Sequence, residues 1–288
     1  MILTVDERAL ITGRDAPPDM DPAAIARLAG LPAGDVEVVD EIDSTNAELM
    51  RRPFPAAPLR PRVLVALRQH AGRGRRGRTW LSDPDHSLTM SVVLHRRRVP
   101  ASPPLTGMSL ALAVSLAEEL SGGVPGIGLK WPNDLLRDGR KIAGMLIETR
   151  QSADLERVVI GLGLNLIVPE GISRSVQQPV AGLFDGLARV PGRAQLAATL
   201  AATLIASGER FFETGFGDTA LRWQRFDVLA GRELTILDKD IPVLRGRGDG
   251  VERDGALRVR TPAGVVPVSV GDVSARLVPA APDQAGRA

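Results

Sequence analysis

The residues of this sequence best suited to chemistry lie in a stretch where glycine alternates with arginine. The stretch comprises Gly72, Arg73, Gly74, Arg75, Arg76, Gly77 and Arg78, and Trp80 follows it. Glycine lets a ligand approach the backbone closely, and the planar guanidinium group of arginine suits carboxylate and phosphate oxygens. The stretch predicts a loop around a small, strongly anionic ligand, with the flat Trp80 ring able to stack on a base. Taken alone, it fits a solvated basic loop or a nucleic-acid patch equally well.

A second polar group, Ser44-Thr45-Asn46, falls between a strand predicted over residues 36–42 and a predicted helix. Thr45 followed by Glu48 has the spacing of a capping box, in which Thr45 caps the helix. The hydroxyl groups and the amide could instead face a pocket and bind a polar ligand. The local sequence favours the capping interpretation.

A predicted hairpin brings further charged and amide side chains together. Asp138-Gly139 between apolar runs is typical of a two-residue turn. The turn would place Asn133 and Asp134 near the end of one strand and Lys141 near the start of the next. These groups could act on a ligand, or Asn133 and Asp134 could only shape the preceding turn.

Two glycines interrupt a predicted buried strand over residues 158–166. The strand contains Gly161, Gly163 and Asn165. Glycine inside a strand indicates that another group packs closely against the backbone. A β-bulge without function would explain both glycines equally well.

The composition excludes several classes of protein. The chain has 288 residues, 44% of them hydrophobic, and a net charge of +2. This allows a large and a small domain and argues against a general nucleic-acid binder. The lack of cysteine excludes disulfides, iron–sulfur clusters and a thiolate nucleophile, and the three histidines lack metal-ligand spacing. With no apolar run of membrane-spanning length and no signal-peptide pattern, we expect a soluble cytoplasmic protein.

The patterning divides the chain into four predicted segments. Residues 1–36 form an N-terminal extension, residues 37–229 the main domain, residues 230–279 a small all-β domain and residues 280–288 a disordered tail. The predicted helices lie at 22–28, 105–120, 193–212 and 218–226, and the predicted strands of the small domain at 233–237, 242–247, 256–261 and 265–270.

In combination, the motifs resemble those of the biotin–protein ligases. They stand in the order of that family, and the resemblance covers roughly residues 37–278. The matching segments are Asp43-Ser44-Thr45-Asn46, the stretch from Gln69 to Trp80, Lys130-Trp131-Pro132-Asn133-Asp134, Lys141-Ile142-Ala143-Gly144, and Gly161 with Gly163 and Asn165. His70 departs from the family pattern, at a position that the family does not use for ligand contact.

The resemblance implies an α+β fold. The main domain would be a mixed sheet flanked by helices, related to class II aminoacyl-tRNA synthetases, and the small domain an SH3-like β-barrel. It also implies a reaction in two steps. Biotin and ATP would give biotinyl-5′-AMP, and the biotinyl group would then pass to a lysine of a carrier protein. Mg²⁺ would be held by the ATP phosphates, with no metal site on the protein.

The resemblance also implies roles for individual residues. The catalytic residues would be Lys141, Arg75 and Asp134. The residues that would bind biotin are Ser44, Thr45, Asn46, Gln69, Arg73, Gly74, Arg75, Lys141 and Gly144. The residues that would bind ATP or the adenylate are Arg73, Arg75, Arg76, Arg78, Trp80, Lys130, Asn133, Lys141, Gly161, Gly163 and Asn165.

The expected partner is the biotin carboxyl carrier protein or domain of acetyl-CoA, propionyl-CoA or pyruvate carboxylase. The nearest alternative is a lipoate–protein ligase, whose basic loop differs from the one over residues 72–78. Some family members also bind DNA through an N-terminal helix-turn-helix, which needs several helices. Because residues 1–36 contain one short predicted helix, we expect no sequence-specific DNA binding. We also expect a monomer or weak homodimer.

Overall fold

The computed structural model describes residues 20–55, 58–100, 102–168, 179–188, 190–269 and 273–278. Two sequence predictions fall outside these ranges: most of the N-terminal extension, residues 1–19, and the tail, residues 280–288. The side chain of Arg76 also lies outside what is described.

A seven-stranded mixed sheet forms the larger part of the molecule, as the sequence predicted. Its strand order is β1-β2-β3-β7-β6-β5-β4, with β1 and β2 parallel and the other neighbours antiparallel. The strands are β1 (Val36–Ile42), β2 (Arg62–Gln69), β3 (Ser87–Arg97), β4 (Ile127–Lys130), β5 (Asp134–Arg137), β6 (Arg140–Ser152) and β7 (Leu155–Asn165).

The two faces of the sheet are covered differently. The helices are α1 (Pro22–Ala29), α2 (Thr45–Arg51), α3 (Met108–Ser121) and α4 (Arg193–Thr214). Side chains alternate along a strand, so residues such as Met90 and Ile160 share one face and are buried there with α1, α3 and α4. None of the described helices is long and apolar enough to span a membrane.

The opposite face of β3 and β7 is polar or bare where the first face is apolar. It carries Thr89 and Ser91 on β3, and Gly161 and Gly163 on β7. Of the described helices, only α2 packs on this face, through a small apolar cluster around Leu49. The remainder of the face is therefore open to the loop over residues 70–80 and to a ligand.

The prediction that Thr45 caps α2 is wrong by one residue. Ser44 is the cap, since its backbone is extended and its Oγ accepts a hydrogen bond from the backbone N–H of Ala47 at 3.4 Å. Thr45 is already helical, and its hydroxyl group donates to Gln69 instead. Gln69 of β2 thus binds the Thr45 side chain, which the local pattern assigned to the helix cap.

The hairpin predicted at Asp138-Gly139 is confirmed, with φ values of 49° and 74° at the two turn residues, as a tight hairpin turn requires. The predicted position of Asp134 is wrong, because it is the first residue of β5 and lies opposite Lys130 of β4. Asn133 precedes the strand, in the turn that contains the cis Trp131–Pro132 peptide. A short strand and a second turn at this point were not visible in the apolar pattern.

A second sheet follows, as expected for an SH3-like domain. Its five antiparallel strands have the order β11-β10-β9-β8-β12. The fifth strand was not predicted, and the helix predicted over 218–226 is shorter. The elements are α5 (Thr219–Trp223), β8 (Glu233–Asp238), β9 (Ile241–Val251), β10 (Leu257–Thr261), β11 (Gly264–Val268) and β12 (Val273–Leu277).

The two sheets share one hydrophobic core. Trp131, which is 1% exposed, donates from Nε1 to the carbonyl oxygen of Gly255 at 3.0 Å. The N–H of Leu129 donates to the carbonyl oxygen of Phe226 at 2.7 Å. These bonds fix the end of β4 and the following turn against the second domain.

A buried arginine holds the C-terminal end of α2. The guanidinium group of Arg157 on β7, which is 1% exposed, donates to the carbonyl oxygens of Leu49 at 3.1 Å, Arg52 at 2.6 Å and Pro53 at 2.6 Å. Its Nε donates to Nε2 of His95 at 3.2 Å. Burial and the charge of Arg157 lower the pKa of His95 to about 4, so the ring is neutral and can accept this bond.

We expect Arg157→Leu to lower the free energy of unfolding by about 2–4 kcal/mol, because buried carbonyl oxygens lose their donors. Urea denaturation measures the change. The matched control is Arg150→Leu, since Arg150 also donates to a carbonyl oxygen near the end of α2 but is exposed. An Arg157→Leu variant as stable as Arg150→Leu would contradict the capping role.

Candidate active site

The site is built on two rows of residues that cross three neighbouring strands. In the first row, Ser91 of β3 pairs with Gly161 of β7, which pairs with Leu146 of β6. In the second row, Thr89 pairs with Gly163, which pairs with Gly144. The rows lie about 7 Å apart, since each residue advances a strand by about 3.3 Å.

A polar pocket extends from Thr45, which contacts Ser91 of the first row, to Gln69 at the end of β2. The backbone N–H of Thr45 donates to Oε1 of Gln69 at 2.7 Å, and the Thr45 hydroxyl group donates to the same oxygen at 3.1 Å. Both bonds require the amide oxygen of Gln69 to face Thr45, so its Nε2 is the end left to donate elsewhere. Ser44, Thr45 and Gln69 are all buried. Ser44, Thr45 and Gln69, three residues that the sequence resemblance assigns to biotin binding, therefore lie together, with the orientation of one amide fixed.

Asn46 lies directly on the first row and is committed to protein contacts. Its Nδ2 donates to the Leu146 carbonyl oxygen at 3.2 Å and to Oε2 of Glu148 at 2.9 Å, and its Oδ1 accepts from Ser91 at 2.6 Å. A Cβ atom on Gly161 would lie 2.4 Å from Oδ1. Gly161 is thus required by the close approach of Asn46.

Trp80 packs in the same way on the second row. A Cβ atom on Gly163 would lie 2.2 Å from the indole ring of Trp80. The pairing of β3 with β7 is continuous along both strands, so the bulge considered for these glycines is absent from the described strand. Close packing of a side chain on the bare backbone explains both glycines.

The glycine-arginine stretch forms a compact loop above these rows. The N–H of Gly74 donates to the carbonyl oxygen of Arg78 at 2.7 Å. Arg73 pairs with Glu148 at 3.3 Å, and Arg75 donates to Oδ1 of Asn133 at 3.2 Å. The Arg78 side chain is exposed. Two arginines of the loop are therefore held over the strands by oxygen acceptors.

Lys141 and Asp134 form an ion pair beside the second row. Lys141 Nζ lies 2.6 Å from Oδ1 of Asp134, and a Cβ atom on Gly144 would lie 3.2 Å from that Nζ. Neighbouring Lys130 is half-buried, and its partial burial lowers the pKa of its ammonium group while Asp134 opposes the shift. The adjacent residues Asn133 and Asp134 thus hold one cation each, Arg75 and Lys141.

Three buried polar atoms around the second row have no hydrogen-bond partner among the described residues. They are Nε1 of Trp80, Oγ1 of Thr89 and Oδ1 of Asn165. Asn165 is 1% exposed, and its Nδ2 donates weakly to the Ala181 carbonyl oxygen at 3.4 Å. Buried polar groups are almost always paired in folded proteins, so these atoms mark where a ligand can supply the missing partner.

Sequence reasoning missed Glu148, Ser91 and Thr89. Glu148 joins Asn46 to Arg73, and Ser91 joins Thr45 to Asn46. The signal for the two β3 residues was present, because a hydroxyl at every second position is unusual in a buried strand. Glu148 ends a half-exposed stretch of β6, and its sequence surroundings contain no signal.

Two further observations complete the description of the site. Within the described ranges, no three His, Asp or Glu side chains lie close enough together to hold a metal ion. A cavity of about 540 Å³ lies away from the site, at the other end of β3, where Phe54, His95 and Arg157 line it.

Comparison with known proteins gives consistent matches. A model of the biotin/lipoate A/B protein ligase family matches residues 38–165. The bifunctional ligase/repressor BirA of Escherichia coli is 32% identical over 86% of this chain and 76% of its own length. The biotin–[acetyl-CoA-carboxylase] ligase of Mycobacterium tuberculosis is 34% identical over 66% of this chain and 71% of its own length.

A solved structure agrees with these matches. The biotin protein ligase of Aquifex aeolicus in complex with biotin and ATP superposes with a TM-score of 0.70 and 25% identity. The match covers 85% of this chain and 99% of that chain.

We expect Gly163→Ala to displace Trp80, because the added methyl group overlaps the indole ring. Trp131 and Trp223 are at most 1% exposed, so a red shift of tryptophan emission reports on Trp80. Gly123→Ala is the control, since an added Cβ there meets nothing within 4 Å. Unchanged emission in Gly163→Ala would contradict the packing of Trp80 on the bare strand.

Proposed function

Since this chain belongs to the biotin–protein ligase family, we propose that it makes biotinyl-5′-AMP from biotin and ATP and transfers the biotinyl group to a lysine of a biotin carboxyl carrier protein. One observation carries the proposal. Asn133 and Asp134 hold Arg75 and Lys141 in one place, and the polar pocket of Thr45 and Gln69 lies at the end of β2 in the same sheet. Two cations beside a neutral polar pocket suit a ligand with a polar head and an acid group.

The polar pocket would receive the ureido head of biotin. The hydroxyl group of Ser44 and the Nε2 group of Gln69 supply donors, and the backbone around Gly74 and Arg73 would close over the ligand. Asn46 would act by shaping the pocket, because its amide is already bonded to three protein groups. Gly144 would leave space for the chain that leads to Lys141.

Lys141 and Arg75 would accelerate the first step. A carboxylate must approach the α-phosphate of ATP, and two unit charges about 4 Å apart repel by roughly 4 kcal/mol at an effective dielectric constant of 20. A positioned ammonium and a guanidinium group offset this repulsion as the new bond forms. No covalent enzyme nucleophile is needed, because positioning and charge stabilisation are sufficient.

The nucleotide would lie beyond the second row, at the end of β7. Trp80 and Oδ1 of Asn165, which has no hydrogen-bond partner among the described residues, would contact the adenine. The other residues proposed to bind ATP or the adenylate are Arg73, Arg75, Arg76, Arg78, Lys130, Asn133, Lys141, Gly161 and Gly163. Mg²⁺ would neutralise phosphate charge and be held mainly by phosphate oxygens and water, as is usual for this ion.

Asp134 would serve the second step. The incoming lysine must lose a proton before its amine attacks the acyl group, and a carboxylate within reach can orient and accept that proton. Asp134 already binds an ammonium group, that of Lys141, at 2.6 Å. A second ammonium group, from the carrier protein, would use the same chemistry.

The remaining parts of the proposal concern the chain as a whole. We propose residues 37–229 as the catalytic domain and residues 230–279 as the C-terminal domain, in a cytoplasmic monomer or weak homodimer that does not bind DNA. The carrier would be the biotinyl domain of acetyl-CoA, propionyl-CoA or pyruvate carboxylase.

The decisive experiment is mass spectrometry of a carrier domain after incubation with this protein and Mg-ATP, with biotin in one sample and lipoate in another. We expect the mass increase of one biotinyl group and none from lipoate. A lipoyl adduct would favour the alternative within the same family of folds, and the absence of both adducts would refute the proposal.

We expect Lys141→Gln to slow biotin-dependent ATP–pyrophosphate exchange by about 100-fold or more, since losing one stabilising group of this kind typically costs about 3–4 kcal/mol. Lys239→Gln is the control, because Lys239 is exposed in a turn of the second sheet. Exchange at the wild-type rate in Lys141→Gln would remove Lys141 from the mechanism.

A further inference from the structure

We propose that the hydroxyl group of Thr89 binds biotin directly, in addition to the residues that the family resemblance implies. Thr89 lies in the second row, beside Gly163. This inference rests on the proposed function, because it places biotin along the rows of the sheet. It adds a binding residue that neither the motifs nor the basic loop indicate.

The burial of Thr89 carries the inference. Its side chain belongs to a residue that is 4% exposed, and Oγ1 has no hydrogen-bond partner among the described residues. A buried hydroxyl without a partner costs folding free energy, and a valine of the same shape would not carry this cost. The site therefore retains a hydroxyl group that lowers the stability of the fold until a ligand binds to it.

Ser91 shows what a satisfied hydroxyl on this face looks like. It lies two residues further along β3, faces the same way, and contacts both Thr45 Oγ1 and Asn46 Oδ1 at 2.6 Å. Thr89 has the same burial and the same face but no such contacts. The two hydroxyl groups differ in their surroundings. The first row, with Ser91, faces α2, whereas the second row, with Thr89, faces Trp80 and the loop over residues 70–80.

The position of Thr89 selects biotin as the ligand. Ala66 of β2, Thr89, Gly163 and Gly144 of β6 form one row across four strands. Gln69 and Lys141 each lie three residues beyond this row, at its two ends, and the ammonium group of Lys141 reaches back to Gly144. A molecule that runs from Gln69 to Lys141 therefore runs along the second row and passes Thr89.

Trp80 supports the same reading. Its ring lies on Gly163, the strand neighbour of Thr89, and its Nε1 also has no partner among the described residues. Two unpaired donors around one glycine indicate a common acceptor. A buried water molecule is the competing acceptor, since such waters bridge otherwise unpaired groups.

Thr89→Val distinguishes these cases because it removes the hydroxyl group and keeps the shape. We expect its thermal midpoint to equal or exceed that of the wild type, since an unpaired group is removed. We expect its KM for biotin to rise about 5-fold, the effect of one ordinary hydrogen bond, with the KM for ATP unchanged. Thr89→Ser should restore the KM for biotin.

Ser91→Ala is the matched comparison on the same strand and face. It should lower the thermal midpoint, because Thr45 and Asn46 lose a partner. The sign of the stability change therefore separates a structural hydroxyl from one reserved for a ligand.

An unchanged KM for biotin in Thr89→Val would overturn the inference. A lower thermal midpoint in that case would indicate a bridging water, and a raised KM for ATP would indicate a contact with the nucleotide. Calorimetric titration of the wild type with biotin separates these from failure of the proposed function, because a wild type that binds no biotin refutes both.

Discussion

The site depends on the contact between large polar or aromatic side chains and a strand that has no side chains at two positions. Asn46 and Trp80 lie directly on the backbone of β7, at Gly161 and Gly163. This requires that β3, β7 and β6 keep one register over their whole pairing, because a shift of one residue would turn both glycines to the helix-covered face. The floor of the site and the core beneath it are thus set by the same hydrogen-bond ladder.

Above this floor, cations are held in place by oxygen acceptors from the strands. Lys141 is bound by Asp134, Arg73 by Glu148, and Arg75 by Asn133. Arrangements of this kind reduce the reorganisation that a charged ligand would otherwise require, since the positive groups are already oriented. The same acceptors keep clustered positive charge compatible with a folded, ligand-free chain.

The second domain contributes to the site indirectly. Trp131, between the residues Lys130 and Asn133, is anchored on Gly255 of the second domain, and β4 is bonded to the segment that leads into it. The turn that presents Asn133 and Asp134 is therefore supported from below by another sheet. At the other end of the site, Arg157 fixes the C-terminal end of α2 and with it the helix whose first residues form the polar pocket.

The sequence by itself determined the kind of protein and most of its elements. The strand and helix periods predicted the long helices and several strands, and the motifs indicated the family, whose resemblance implied the mixed sheet. The pattern also indicated that Gly161 and Gly163 face something closely packed, but it could not distinguish a side chain from a bulge. It placed the cap of α2 on Thr45 and missed β12, because both depend on partners distant in the sequence.

Only the tertiary structure decided which side chains meet. The orientation of the Gln69 amide follows from Thr45, 24 positions earlier, and the contact of Asn46 with Glu148 joins residues 102 positions apart. No local pattern encodes such contacts, because they arise from the order and register of strands that the chain connects through long loops. The unpaired hydroxyl group of Thr89 belongs to the same class, since a missing partner can be recognised only when all neighbours are in place.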